Sequence, residues 1–149
     1  MQWQPKDPKF KERTKSFLQG MPIASVFGFT FGEVSPGVVP LILPFNPSLT
    51  FDGKHFQASA VASLIDFAGG LAAYSLLPAD WSLATLDVSM KLLAPAQGER
   101  LLGVGRALSA GQTISVANVE VFAQRDSLSS LCAVGMVSVR NFSAGPQKS

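Results

Sequence analysis

The sequence is short of cysteine, histidine and charge. Cys132 is its only cysteine in 149 residues. That excludes an intramolecular disulfide and fits a reducing compartment, so a cytoplasmic location is expected. Leu131-Cys132-Ala133-Val134 has a strand-like apolar pattern, in which a thiol packs as a small hydrophobe. His55 is the only histidine. No His/Cys/Asp/Glu cluster stands at metal-ligand spacing, so no metal is expected. No Gly-rich phosphate loop follows a strand; Gly103-Val104-Gly105 lies inside one and reads as a packing feature. Charged residues make up 15% of the chain, for a net charge of +2. One basic run, Lys6, Lys9, Lys11, Arg13 and Lys15, reads as the solvated face of a short helix. No repeated alternation of aromatic and basic residues accompanies it, and no nucleic-acid partner is expected. No N-terminal apolar segment resembles a signal peptide.

Apolar residues are abundant instead, at 47% of the chain. A single domain over residues 1–149 can build a real core from them. The excess points to apolar surface covered by another subunit. The longest apolar run, Ala58 to Leu77, invites a membrane reading. Asp66 near its centre argues against one, since a charge there costs about 2.5–3.5 kcal/mol. The run is also rich in Ala, Gly and Ser, and strand-like segments fill much of the remaining chain. A buried helix fits better.

The periodicities order the elements. Pro8 to Gln19 is predicted as an amphipathic helix, with Phe10, Phe17 and Leu18 apolar, ended by Gly20-Met21-Pro22. Val26 to Val34 alternates with strand period, Phe27, Phe29 and Phe31 on one face. Val38 to Phe45 is a second strand; Pro40 and Pro44 suit an edge. The long helix follows and stops at Pro78-Ala79-Asp80. Ala84 to Leu92 alternates, with Leu86, Val88, Met90 and Leu92 against Thr85, Asp87, Ser89 and Lys91. Arg100 to Leu108, Thr113 to Ala123 and Leu131 to Val139 complete four strands with short links, as antiparallel hairpins need. Asn141 to Ser149 is a polar tail. The expected class is α+β, an antiparallel sheet wrapped around one long helix.

Asp66 is the only charged residue of Ala58–Leu77. An unpaired buried carboxylate is costly, so it is either paired structurally or used chemically. Ser59, Ser63, Asp66, Gly70 and Ala73 form one stripe of small or polar side chains, opposite Val61, Leu64, Ala68, Leu71 and Ala72. The structural alternative pairs Asp66 with a basic residue of the sheet or with Ser63. The chemical one uses the groove, since Gly69 and Gly70 one turn away allow close approach to the carboxylate.

Lys54-His55-Phe56-Gln57-Ala58-Ser59 through Leu64-Ile65-Asp66 resembles the signature of hotdog-fold acyl-CoA thioesterases of the phenylacetic-acid-degradation, or PaaI-like, type. That pattern is an aromatic, His-Gly-Gly, four variable residues, Leu, one variable residue and Asp. Phe56, Leu64 and Asp66 match it in spacing. Thr85-Leu86-Asp87-Val88, Leu92-Leu93-Ala94-Pro95-Ala96 with Gly98, and Gly105-Arg106 before Gly111 extend the resemblance over about residues 17 to 140. Gln57-Ala58-Ser59 replaces His-Gly-Gly. Gln57 can donate to a carbonyl but cannot titrate, and the Cβ atoms of Ala58 and Ser59 crowd an approach that glycine permits.

The resemblance implies a hotdog fold whose site joins the helix start of one subunit to the acid of another, in a dimer or a dimer of dimers. The substrate would be an acyl-CoA, with coenzyme A part of the substrate and no separate cofactor. Gln57 and the N–H of Ala58 or Ser59 would polarise the thioester carbonyl, and Asp66 would act as general base or nucleophile. Phe56 would line the substrate site, Thr85 would position the acid or a water, and Arg106 would meet CoA phosphates. His55 lies two positions before the family's histidine and is read as an exposed loop residue. The alternatives are a non-catalytic acyl-CoA-binding hotdog protein and a hotdog hydratase or dehydratase using His55 and Asp66.

Overall fold

A computed structural model of the chain describes residues 2–145. Helix α1 spans Phe10–Gln19 and buries Phe10, Thr14 and Leu18, one residue per turn. It starts after a turn in which the Lys9 N–H donates to Asp7 Oδ1 at 2.9 Å. Arg13 departs from the solvated face expected of the basic run. Its Nε donates to Asp7 Oδ2 at 2.7 Å and its Nη2 to the Leu77 carbonyl at 2.6 Å. Its guanidinium also lies 4.5 Å from the Tyr74 ring centroid. Phe17 stacks on the same ring at 4.0 Å. These contacts dock α1 on the C-terminal end of the long helix.

The strand expected at Val26–Val34 is not formed as such. Pro22 starts a second helix, α2, at Pro22–Phe27. Proline suits the first helical turn because its missing N–H has no partner there anyway. Gly28 ends α2 in the left-handed conformation, φ 70°. Only Thr30–Phe31 then pairs, as β1. The Phe27–Phe29–Phe31 alternation instead reflects an aromatic cluster: Phe27 stacks on Phe29, and both rings pack against Phe67.

Strand β2 is Val38–Pro44, and a single 3-10 turn follows at Pro47–Leu49. Helix α3, Ala58–Tyr74, carries the apolar run and ends one turn short of Leu77. Strands β3 to β6 are Trp81–Leu92, Arg100–Ala110, Ile114–Arg125 and Leu128–Ser143. One six-stranded antiparallel sheet results, in the order β1-β2-β4-β5-β6-β3. Strand β6 continues through Asn141, where a tail was expected. Asn141 is buried and its Nδ2 donates to the Gly111 carbonyl and to Ser115 Oγ. Residues 146–149 of the expected tail lie outside the described residues.

The sheet wraps α3, whose Val61, Leu64, Ile65 and Ala68 are fully buried. Each large apolar side chain so buried contributes about 1.5–3 kcal/mol. Close approach of α3 to β4 depends on the two glycines read as packing residues. A Cβ at Gly103 would stand 2.8 Å from Leu64 Cγ, and one at Gly105 would run into the Ala68 carbonyl. Cys132 is fully buried, and burial raises its thiol pKa. Among the described residues, no helix is long and apolar enough to cross a membrane.

Strand β3 breaks the alternation expected of it. Its register against β6 shifts between Thr85 and Asp87, leaving Leu86 in a bulge. A bulge swaps the face that later residues present. Leu83 before it and Val88 and Met90 after it all pack against the core, while Leu86 is 56% exposed.

Candidate functional site

The bulge settles where Thr85 points. Thr85 shares the inward face with Leu83, and its Oγ1 donates to Asp66 Oδ1 at 2.7 Å. Asp66 is half-buried, near the middle of α3. Its structural alternatives are not realised. Ser63 Oγ donates to the Ser59 carbonyl at 3.0 Å, and no salt bridge among the described residues includes Asp66. The carboxylate is thus held by one neutral donor and stays uncompensated.

Asp66 lines a cavity of about 340 Å³ with Ser63, Gly70 and Thr85. The other walls are apolar: Phe17, Met21, Ile23, Phe67, Leu71 and Leu83. Small-molecule sites combine an apolar lining with a few polar groups in this way.

The start of α3 builds a second cavity, of about 420 Å³. Gln57 is the residue before the first helical turn, and its side chain caps nothing. Its carbonyl accepts the N–H groups of Ala60 and Val61. The N–H groups of Ala58 and Ser59 have no backbone acceptor among the described residues. Free N–H groups at the positive end of a helix dipole suit a developing oxyanion. Gln57 and Ala58 line this cavity with Phe56, Leu92 and Pro95. Phe56 is itself mostly core, buried edge-on against Phe45.

His55 sits in the loop before α3, as expected, but is half-buried rather than exposed. It lines the helix-start cavity, and its Nδ1 shares a 2.5 Å hydrogen bond with Asp52 Oδ2. Asp52 Oδ1 also accepts the N–H groups of Lys54 and His55. The His55 backbone N–H, then its ring, hold the Asp52 carboxyl down to about 2. Phe51 stacks on the imidazole. Sequence reasoning missed this pair, although an Asp three residues before a His in a polar loop signals an Asx turn.

Within one chain the two halves stand apart. Nine positions separate Gln57 from Asp66, about 13.5 Å at a helical rise of about 1.5 Å per residue. His55 and Asp66 likewise line different cavities. Arg106 lines neither. Gly103 and Gly105 face α3, so Arg106 turns to the outer face of β4, opposite Val38 and Asn118. Lys54 and Arg125 line a third cavity, of about 310 Å³.

A family model described as the thioesterase superfamily matches residues 58–130, which span α3, β3, β4, β5 and the start of β6. A Halobacterium salinarum protein, provisionally named an esterase, is 31% identical over 117 residues, 75% of this chain and 77% of its own. The chain belongs to the thioesterase superfamily. A solved thioesterase family protein from Silicibacter pomeroyi is 25% identical, with TM-score 0.86 over 90% of this chain and 98% of that one. The E. coli PaaI protein, from the phenylacetic acid degradation operon, shares the fold at 14% identity. Its TM-score is 0.79 over 90% of this chain and 94% of that one. This superfamily fold is the hotdog fold, with six antiparallel strands packed on one long helix.

Proposed function

We propose that this thioesterase-superfamily chain hydrolyses acyl-CoA thioesters, in the PaaI-like manner, at a site shared between two copies. The observation that carries this reading is the uncompensated Asp66 carboxylate, fixed by Thr85 beside an apolar cavity. The thioester carbonyl sits against Gln57 and the N–H groups of Ala58 and Ser59 of one chain. Asp66 of the other chain takes a proton from water as the water oxygen attacks the carbonyl carbon. The tetrahedral oxyanion rests on the helix-start donors, the C–S bond breaks, and the CoA thiolate leaves. Direct attack by Asp66, through a mixed anhydride, uses the same groups. Lys54 and Arg125 line a cavity that adjoins the His55 loop, which favours them over Arg106 for the CoA phosphates.

The test is a panel of aliphatic and aromatic acyl-CoA thioesters against wild type, Asp66→Asn and His55→Ala. Loss of general-base catalysis lowers kcat by about 10²–10⁴-fold in Asp66→Asn. His55→Ala retains most of the activity. Turnover by Asp66→Asn equal to wild type would sink the mechanism.

A further inference from the structure

The two glycines in the middle of α3 have different surroundings. A Cβ at Gly69 would stand 2.6 Å from Val137 Cγ2, so packing against β6 requires glycine there. A Cβ at Gly70 would meet nothing within 4 Å, although the residue is buried. Gly70 does not have the positive φ that favours glycine. Helix propensity favours alanine at such a position, and neither packing nor backbone conformation opposes it. The space is left open beside the acid. Gly70 is one turn after Asp66 on the same face, and the Cα–Cβ bond of a helical residue tilts toward the helix N-terminus, here toward Asp66. The walls around this opening are Phe17, Met21, Ile23, Phe67, Leu71 and Leu83.

We infer that Gly70 sets the size of acyl group the chain accepts, by leaving a channel from Asp66 for an apolar tail of medium length, aliphatic or aromatic. The inference rests on the thioesterase reading and adds to it the class of acyl group. A short acyl group such as acetyl leaves the channel unfilled. A side chain at position 70 grows into the space that a longer tail needs.

Wild type, Gly70→Ala and Gly70→Val are assayed with acetyl-, hexanoyl-, decanoyl- and phenylacetyl-CoA, and each protein is melted alone and with each thioester. Gly70→Ala melts no lower than wild type, which shows that the glycine is not a folding requirement. In Gly70→Val the ratio of kcat/KM for decanoyl-CoA to that for acetyl-CoA falls at least about tenfold, the lower end of the effect of a single methylene misfitted in an apolar pocket. An unchanged ratio in both variants overturns the inference. If wild type turns over none of the thioesters, the hydrolase reading fails separately, and the melts decide. Protection of wild type by decanoyl-CoA that is lost in Gly70→Val upholds the size limit. Equal protection of both proteins, or protection of neither, overturns it.

Discussion

Thr85 reaches across from β3 to donate a 2.7 Å hydrogen bond to Asp66 Oδ1, and a bulge at Leu86 makes that reach possible. The bond orients the carboxylate and leaves Oδ2 for substrate or water. Thr85→Val keeps the shape and removes the donor. A hydrogen bond to a charged group is worth about 1.5–3 kcal/mol, so kcat should fall about tenfold to a hundredfold, with KM little changed. Thr85→Ser should recover most of the loss. Steady-state kinetics on one thioester check both, and a Thr85→Val enzyme as fast as wild type would remove Thr85 from the mechanism.

Much of this was readable in the sequence, for identifiable reasons. The Ala58–Leu77 run could only be a buried helix once Asp66 spoke against a membrane, and the short links imposed antiparallel pairing. Resemblance to the thioesterase signature, matched in spacing, brought Phe56, Leu64 and Asp66 into one motif. The bulge at Leu86 was not readable, because period-2 alternation carries no sign of an extra residue. Helix α2 was missed because Pro22 signals both the end of one helix and the start of the next. Arg13 was misread because a basic run has no mark for the one member that meets Asp7 and Tyr74. Arg106 was read as a phosphate contact because it is basic and near a strand end; which face it takes was not legible, and the facing of Gly105 toward Ala68 turns it to the outer side of the sheet.

That facing is itself testable. Gly105→Ala forces a methyl group into the Ala68 backbone, where neither element can yield cheaply. Overpacking of this kind costs about 1–3 kcal/mol. At about 2–4 °C per kcal/mol for a chain this size, Tm should drop by several degrees. A thermal melt that shows no change would mean that β4 and α3 are less closely packed than described.

The Asp7–Arg13 link should make α1 acid-sensitive. The Lys9 backbone N–H first, then the Arg13 guanidinium, hold the Asp7 carboxyl below its ordinary value. A carboxylate with a lowered folded pKa contributes stability above its unfolded value, about 3.9. That contribution is lost as pH falls through the folded value. Asp7→Asn should therefore melt lower than wild type at neutral pH and show a shallower loss of Tm on acidification. Asp52 and Glu33 are lowered too but are far more exposed, so solvent screens their share. Parallel Tm-against-pH curves for wild type and Asp7→Asn would exclude the link as a source of stability.

The two half-sites of one chain predict how mutants should complement. Among the described residues, strand β3 pairs only with β6 along its twelve residues, leaving its other edge free. Leu86, Leu92 and Leu93 are more than half exposed on or next to it. A long unpaired edge with exposed leucines on or beside it invites pairing with a second copy. If the dimer joins the helix start of one chain to Asp66 of the other, Gln57→Ala and Asp66→Asn each damage both sites of a homodimer. In a heterodimer of the two, one site carries both lesions and the other none. Random reassortment makes half of the dimers mixed, and one of their two sites is intact, so activity returns to about a quarter of wild type. A site formed within one chain would instead leave every site of every mixed dimer damaged. The experiment is to unfold and refold the two variants together and measure acyl-CoA hydrolysis. Recovery toward that fraction supports the shared site; activity no higher than the average of the separate variants rules it out.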